Sequence, residues 1–196
     1  MARGDSNPSS SGTPFGGYIP PYVFYNTIYA SGGFTYGTPF HDIIYGTRGV
    51  DVVAGGAGSD IIYGYSGDDR IVGESGHDQI FAGIGDDWAF GGTGNDTIDG
   101  GSGDDRIAGD EGDDVLTGGS GVDKFEFTVG DGNDVVTDYE PGIDEFLFFA
   151  AYVNGPIDHS FTFTNEGILI EYGDQGDSVL LQGATFYIPG DFGFFH

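Results

Sequence analysis

The sequence contains no cysteine, which excludes disulfide staples and thiolate metal sites alike. Basic residues are nearly missing as well: 5 Lys and Arg face 32 Asp and Glu, for a formal net charge of -27. Such a chain repels nucleic acid and anionic membrane surfaces, and it repels itself unless cations compensate. No apolar run is long enough to span a bilayer. Met1 to Pro8 lead into no apolar stretch of about 7 to 15 residues, so a conventional N-terminal export signal is not expected. Disorder is excluded by the opposite observation, since 38% of the residues are hydrophobic and 15% aromatic, too many for an acidic solvated tail. A length of 196 residues suits one domain, or a small domain with appendages.

What is abundant is glycine, with 39 residues, and it recurs with a period of nine. From Gly46 the units read GTRGVDVVA, GGAGSDIIY, GYSGDDRIV, GESGHDQIF, AGIGDDWAF, GGTGNDTID, GGSGDDRIA, GDEGDDVLT and GGSGVDKFE. A degenerate unit, GTPFHDIIY, precedes them at Gly37 to Tyr45, and after a two-residue slip VGDGNDVVT follows at Val129 to Thr137. The repeat block is therefore 37–138. Residues 1–17, rich in Ser, Gly and Pro, read as a flexible arm. Residues 18–36 combine aromatic and β-branched side chains with a Pro-Pro break and read as an N-terminal β cap or interaction strand. Residues 139–196 cluster apolar residues between Gly, Asp and Asn turns, as a β-rich C-terminal cap does.

Within each unit the eighth place is apolar: Ile44, Val53, Ile62, Ile71, Ile80, Ala89, Ile98, Ile107, Leu116, Phe125 and Val136. Side chains alternate faces along a strand, so places seven to nine predict a short strand with only the eighth pointing inward. Glycine at the first, second and fourth places permits positive φ and close backbone approach in the intervening turn. A turn that tight leaves inward carbonyls short of partners. Aspartate at the sixth place supplies the anionic oxygen that completes, with those carbonyls, the six to eight oxygen ligands calcium takes. The candidate metal ligands are thus Asp42, Asp51, Asp60, Asp69, Asp78, Asp87, Asp96, Asp105, Asp114, Asp123 and Asp134. If two units close one coil, Asp51, Asp69, Asp87, Asp105 and Asp123 stack on one edge. Asp42, Asp60, Asp78, Asp96 and Asp114 then stack on the other, with each calcium between successive turns. Asp68, Asp86, Asp104 and Asp113, at the fifth place, are expected to point outward. The sites near Asp42 and Asp87 depart most from the pattern, through Thr38, Pro39, Phe40, Ala82 and Ala89.

These units resemble the GGxGxDxUx nonapeptide of the RTX (haemolysin-type calcium-binding) family. The resemblance extends through GGSGVDKFEF and GDGNDVVTDYEPGIDEF, which are similar to the junction where this family's roll ends. It implies an all-β fold, a right-handed parallel β-roll with a β-rich C-terminal cap, that binds several Ca2+ ions. It also implies type I secretion through an uncleaved C-terminal signal, to which Asp191 to His196 is similar. The expected consequence is a chain unfolded in a low-calcium cytosol and folded outside the cell, where calcium is about millimolar.

No HExxH, GxSxG or P-loop motif occurs. His41, His77, His159 and His196 have neither metal-ligand nor triad spacing, so no catalytic residue and no enzyme activity is expected. Arg3-Gly4-Asp5 is read as chance. Trp88, Phe81, Phe90 and Tyr63 are expected on an outer surface, as a contact patch or as cover for the sheet. Two functions fit: an extracellular structural protein that assembles into an oligomer or filament through residues 18–36, or a calcium-dependent module that binds a saccharide or protein partner or assists a secreted enzyme or toxin.

Overall fold

A computed structural model describes residues 25–149, 159–164, 167–172, 176–182 and 192–195. The arm at 1–17 with its Arg3-Gly4-Asp5, residues 18–24 and His196 lie outside the described residues.

Among the described residues the regular structure is entirely β. The N-terminal half contributes β1 (Asn26–Tyr29), β2 (Gly33–Tyr36), β3 (Asp42–Tyr45), β4 (Asp51–Ala57), β5 (Ile61–Ser66), β6 (Arg70–Ser75), β7 (Gln79–Ile84) and β8 (Trp88–Thr93). The roll continues with β9 (Thr97–Ser102), β10 (Arg106–Glu111), β11 (Val115–Ser120), β12 (Lys124–Thr128) and β13 (Asn133–Val136). The C-terminal region adds β14 (Glu145–Phe149), β15 (His159–Phe163), β16 (Gly167–Tyr172), β17 (Asp177–Gln182) and β18 (Phe192–Phe195).

Consecutive strands alternate between two sheets. One sheet has the order β1-β3-β5-β7-β9-β11-β13-β17-β16-β15, the other β18-β14-β12-β10-β8-β6-β4-β2. From β2 to β12 every pairing is parallel, and residue i pairs with i+18, as in Ile62 with Ile80 and Ile71 with Ala89. Two nonapeptides therefore close one coil, as the sequence predicts. The eighth-place residues form two facing rows, Ile44-Ile62-Ile80-Ile98-Leu116-Val136 and Val53-Ile71-Ala89-Ile107-Phe125, each at most 1% exposed. A core only two rows wide stabilises each coil by about 1.5–3 kcal/mol per large aliphatic buried. Ordering the backbone opposes this by about 1–2 kcal/mol for every residue, so the apolar rows alone do not hold the fold.

The strands are longer than places seven to nine. Arg70–Ser75, for example, runs on through the third place of the next unit, because turns stacked in register keep their interstrand hydrogen bonds. The first coil also starts earlier than the repeat block: β1 pairs with β3 and β2 with β4, both parallel. At the other end the 18-residue spacing lengthens. Asp114 meets Asp134 at a separation of 20 and Asp123 meets Asp144 at 21, and the two-residue slip is the first of these. The core then changes from aliphatic to aromatic, with Phe125, Phe127, Phe146, Phe148 and Tyr172 in contact. In the cap β17 extends the first sheet in parallel while β16 and β15 turn back antiparallel.

Candidate calcium sites in the turns

All eleven sixth-place aspartates are buried, each at most 3% exposed, in a chain with few cations to pair with. Two ladders explain half of each carboxylate from Asp60 onward. The N–H of Asp60 donates to Asp78 Oδ1 at 2.8 Å, that of Asp78 to Asp96 Oδ1 at 2.7 Å, and that of Asp96 to Asp114 Oδ1 at 2.7 Å. On the other edge Asp51, Asp69, Asp87 and Asp105 donate in turn to Oδ1 of Asp69, Asp87, Asp105 and Asp123. The two edges contain the residues that the two-unit coil predicts.

The second oxygen has no such partner. Oδ2 of Asp60, Asp69, Asp78, Asp87, Asp96, Asp105 and Asp114 is buried and accepts no hydrogen bond, an arrangement that costs about 1–3 kcal/mol per atom if left uncompensated. Those of Asp60, Asp69, Asp78, Asp96 and Asp105 face the first glycine of their own unit and a carbonyl of the next coil. A Cβ placed on Gly91 would lie 2.2 Å from Asp96 Oδ2 and 2.5 Å from the Gly109 oxygen; one on Gly73 would lie 2.3 Å from Asp78 Oδ2 and 2.5 Å from the Gly91 oxygen. The first glycine thus keeps open a cradle walled by carboxylate and carbonyl oxygens. No three Asp, Glu or His side chains converge on one point among the described residues, so a bound ion draws its remaining ligands from the backbone. An all-oxygen donor set of this kind, rich in backbone carbonyls, fits calcium.

Without metal, burial pushes these carboxyl groups up from 3.8. Asp60, Asp69, Asp87, Asp114 and Asp123 rise to about 6, Asp96 and Asp105 to about 7 and Asp134 to about 8. Loss of hydration is the main cause, the ladder hydrogen bonds oppose it, and neighbouring aspartates in the stack add to it for most of the row. Asp87, whose unit begins with Ala82, has the same ladder bonds and the same orphaned Oδ2 as its neighbours.

Several roles escape the periodicity. The fifth-place aspartates Asp68, Asp86, Asp104 and Asp113 are exposed, as expected, yet they are also hydrogen-bond acceptors. Asp68 Oδ1 takes the Asp86 N–H, Asp86 Oδ1 the Asp104 N–H, and His77 Nδ1 the Asn95 N–H at 2.7 Å. Asp144 ends one ladder by accepting from the N–H of Asp123 and Glu140. Asp138 receives Gly118 and Gly119, and Asp177 receives Gly130. None of the three obeys the nine-residue spacing; the only signal in the sequence is that they are acidic residues beyond the last regular turn.

The outer faces are ordered too. Tyr29, Tyr45, Tyr63 and Phe81 stack in one column with ring centroids 5.2–5.4 Å apart. On the other sheet Arg70 and Arg106 cover Trp88 at 4.7 and 5.0 Å from its ring centroid. The aromatics of places seven and nine therefore pack chiefly on neighbours of their own sheet.

The family model of the RTX calcium-binding nonapeptide repeat matches residues 36–71, 63–98 and 90–125. Among solved structures, the extracellular lipase LipA of Serratia marcescens is similar at 19% identity and a TM-score of 0.46, over 83% of this chain and 40% of the lipase. The chain thus spans less than half of that enzyme. The AlgE6R3 subunit of the Azotobacter vinelandii mannuronan C5-epimerase is similar at 19% identity and a TM-score of 0.32, over 80% of this chain and 82% of the subunit. No curated protein matches the chain. Residues 36–125 thus carry RTX calcium-binding nonapeptide repeats, and they are folded as a parallel β-roll.

Proposed function

We propose that this is a secreted protein whose roll folds when calcium enters its turns outside the cell, and that it has an extracellular structural role rather than a catalytic one. The observation that carries the calcium part is the row of buried Oδ2 atoms, Asp60 through Asp114, that accept no hydrogen bond. Calcium would supply positive charge at those oxygens, satisfying the turns and offsetting the repulsion along each aspartate stack. Asp60, Asp69, Asp78, Asp87, Asp96, Asp105 and Asp114 would hold it with the carbonyls of the glycine turns, and Asp123 and Asp134 continue the same ladders.

The assembling role rests on the N-terminal end of the roll. β1 and β2 are the terminal strands of their sheets among the described residues, and Tyr29 and Phe34 are both 74% exposed there. Open strand edges with aromatic side chains favour β-augmentation by a second copy. A second reading, a module that binds an anionic saccharide or protein, has one observation in its favour. Three of the chain's 5 Lys and Arg, namely Arg70, Arg106 and Lys124, share a single register column with Trp88.

The calcium reading is tested by Asp96→Ala and Asp105→Ala. Each is expected to raise the calcium concentration at the folding midpoint several-fold, and by more than Asp42→Ala does, when folding is followed by far-UV circular dichroism. Equal shifts in all three would contradict the assignment.

A further inference from the structure

The first coil is built differently at the second place of its units. There Thr38 and Thr47 donate their N–H groups to Asp42 Oδ2 and Asp51 Oδ2, both at 2.6 Å, and their hydroxyls donate to the same atoms at 3.0 and 2.9 Å. Asp42 receives the Asn26 side-chain amide on Oδ1 as well, at 2.8 Å. In the units that follow, from Gly56 (φ +104°) to Gly119 (φ +100°), the second place lies at positive φ, even where it is Tyr65 (75°), Glu74 (77°) or Asp110 (64°). A non-glycine residue adopts that region only under constraint, so the turn geometry is imposed by the site and not merely permitted by glycine. From Asp60 to Asp114 the corresponding Oδ2 atoms have no donor.

The N–H and C=O of a peptide point in opposite directions. A turn that aims its second N–H at the carboxylate therefore aims its first carbonyl away from it. Thr38 and Thr47 put a donor where calcium needs an acceptor, and they occupy the oxygen that the ion would use. Neither Asp42 Oδ2 nor Asp51 Oδ2 is orphaned; among the described residues the buried side-chain atom of this coil without a partner is Asp51 Oδ1, whose counterparts further along accept the ladder N–H.

Resting on the calcium reading above, we infer that Asp42 and Asp51 hold no calcium and that the first coil is a metal-independent cap, with Thr38 and Thr47 replacing the ion. Calcium occupancy begins with Asp60 and Asp69. Two of the eleven aspartates assigned from the sequence are thereby reassigned from ligand to cap.

The test is the number of calcium ions bound per chain, counted by native mass spectrometry at neutral pH for the full chain and for Asp51→Asn, Asp42→Asn and Asp96→Asn. The expected result is an unchanged count in Asp51→Asn and Asp42→Asn and at least one ion fewer in Asp96→Asn. A loss as large as that in Asp96→Asn, in either first-coil variant that folds, overturns the inference, and two such variants are included so that one folding failure does not decide the matter. A wild-type chain that binds no calcium would overturn the calcium reading itself, an outcome distinguishable from the first because Asp96→Asn would then have nothing to lose.

Discussion

Gly94→Ala is expected to weaken the folded roll severely, even in saturating calcium. A Cβ at Gly94 would lie 1.6 Å from the Gly76 carbonyl oxygen and 2.7 Å from its carbon, at φ +121°. The obstacle is backbone of the preceding coil, which hydrogen-bonds to its neighbours and cannot swing aside as a flexible side chain would. Gly94 itself donates to the Glu111 carbonyl at 2.7 Å, so moving it opens the next interface along the stack. A cost above about 4 kcal/mol is expected, from steric overlap and a disfavoured φ together. Gly130→Ala is the control: its φ is +107°, but nothing lies within 4 Å of the added Cβ. It carries only the conformational term, about 1–2 kcal/mol. Urea unfolding of both variants in saturating calcium measures the difference, and equal losses would mean that coil stacking is not what demands glycine at the fourth place.

The second large effect is a reversal of pH dependence on removing calcium. In the metal-free fold burial raises the carboxyl groups of Asp87, Asp105 and Asp134 to about 6, 7 and 8, against about 3.9 in an unfolded chain. A carboxyl group whose folded-state value is raised binds protons more readily folded than unfolded. Its contribution to stability is therefore complete below about pH 4 and is lost as pH rises through about 6 to 8. In chelator the chain should show β structure at about pH 5 and lose it by about pH 8. Calcium needs the ionised carboxylate, so with metal present the order inverts and the calcium midpoint rises as pH falls below about 6. Circular dichroism across pH, with and without chelator, measures both limbs. A metal-free chain equally folded at both ends of that range would mean that the buried carboxylates are compensated by something other than calcium.

How far the sequence reaches follows from its period. Ile62, Ile80 and Ile98 could be assigned to one inner row, and Asp69, Asp87 and Asp105 to one edge, because a strict repeat makes every coil report on every other. The expectation of glycine-permitted turns is met at Gly94 and Gly76. The departures lie where one coil differs from the next. Thr38 and Thr47 look like imperfect repeats in the sequence, yet their N–H groups reach the carboxylates, a distinction of peptide orientation that composition does not encode. The fifth place looked like a solvated acidic row, whereas what Ser59, Asp68, His77 and Asn95 share is an acceptor atom within reach of the next coil's N–H. Asp144 and Asp177 are placed by pairings of β14 with β12 and β17 with β13, which span irregular connections and leave no periodic trace.

The most direct test of the account is the hydrodynamic radius of the purified chain, followed by light scattering at neutral pH while calcium is raised from chelator to millimolar, with the far-UV spectrum recorded at each step. A cooperative fall in radius accompanied by a gain of β structure is the predicted result, any later rise at higher protein concentration reporting assembly of the folded form. A chain equally compact and equally β-structured in chelator and in calcium would contradict the claim that calcium completes the turns.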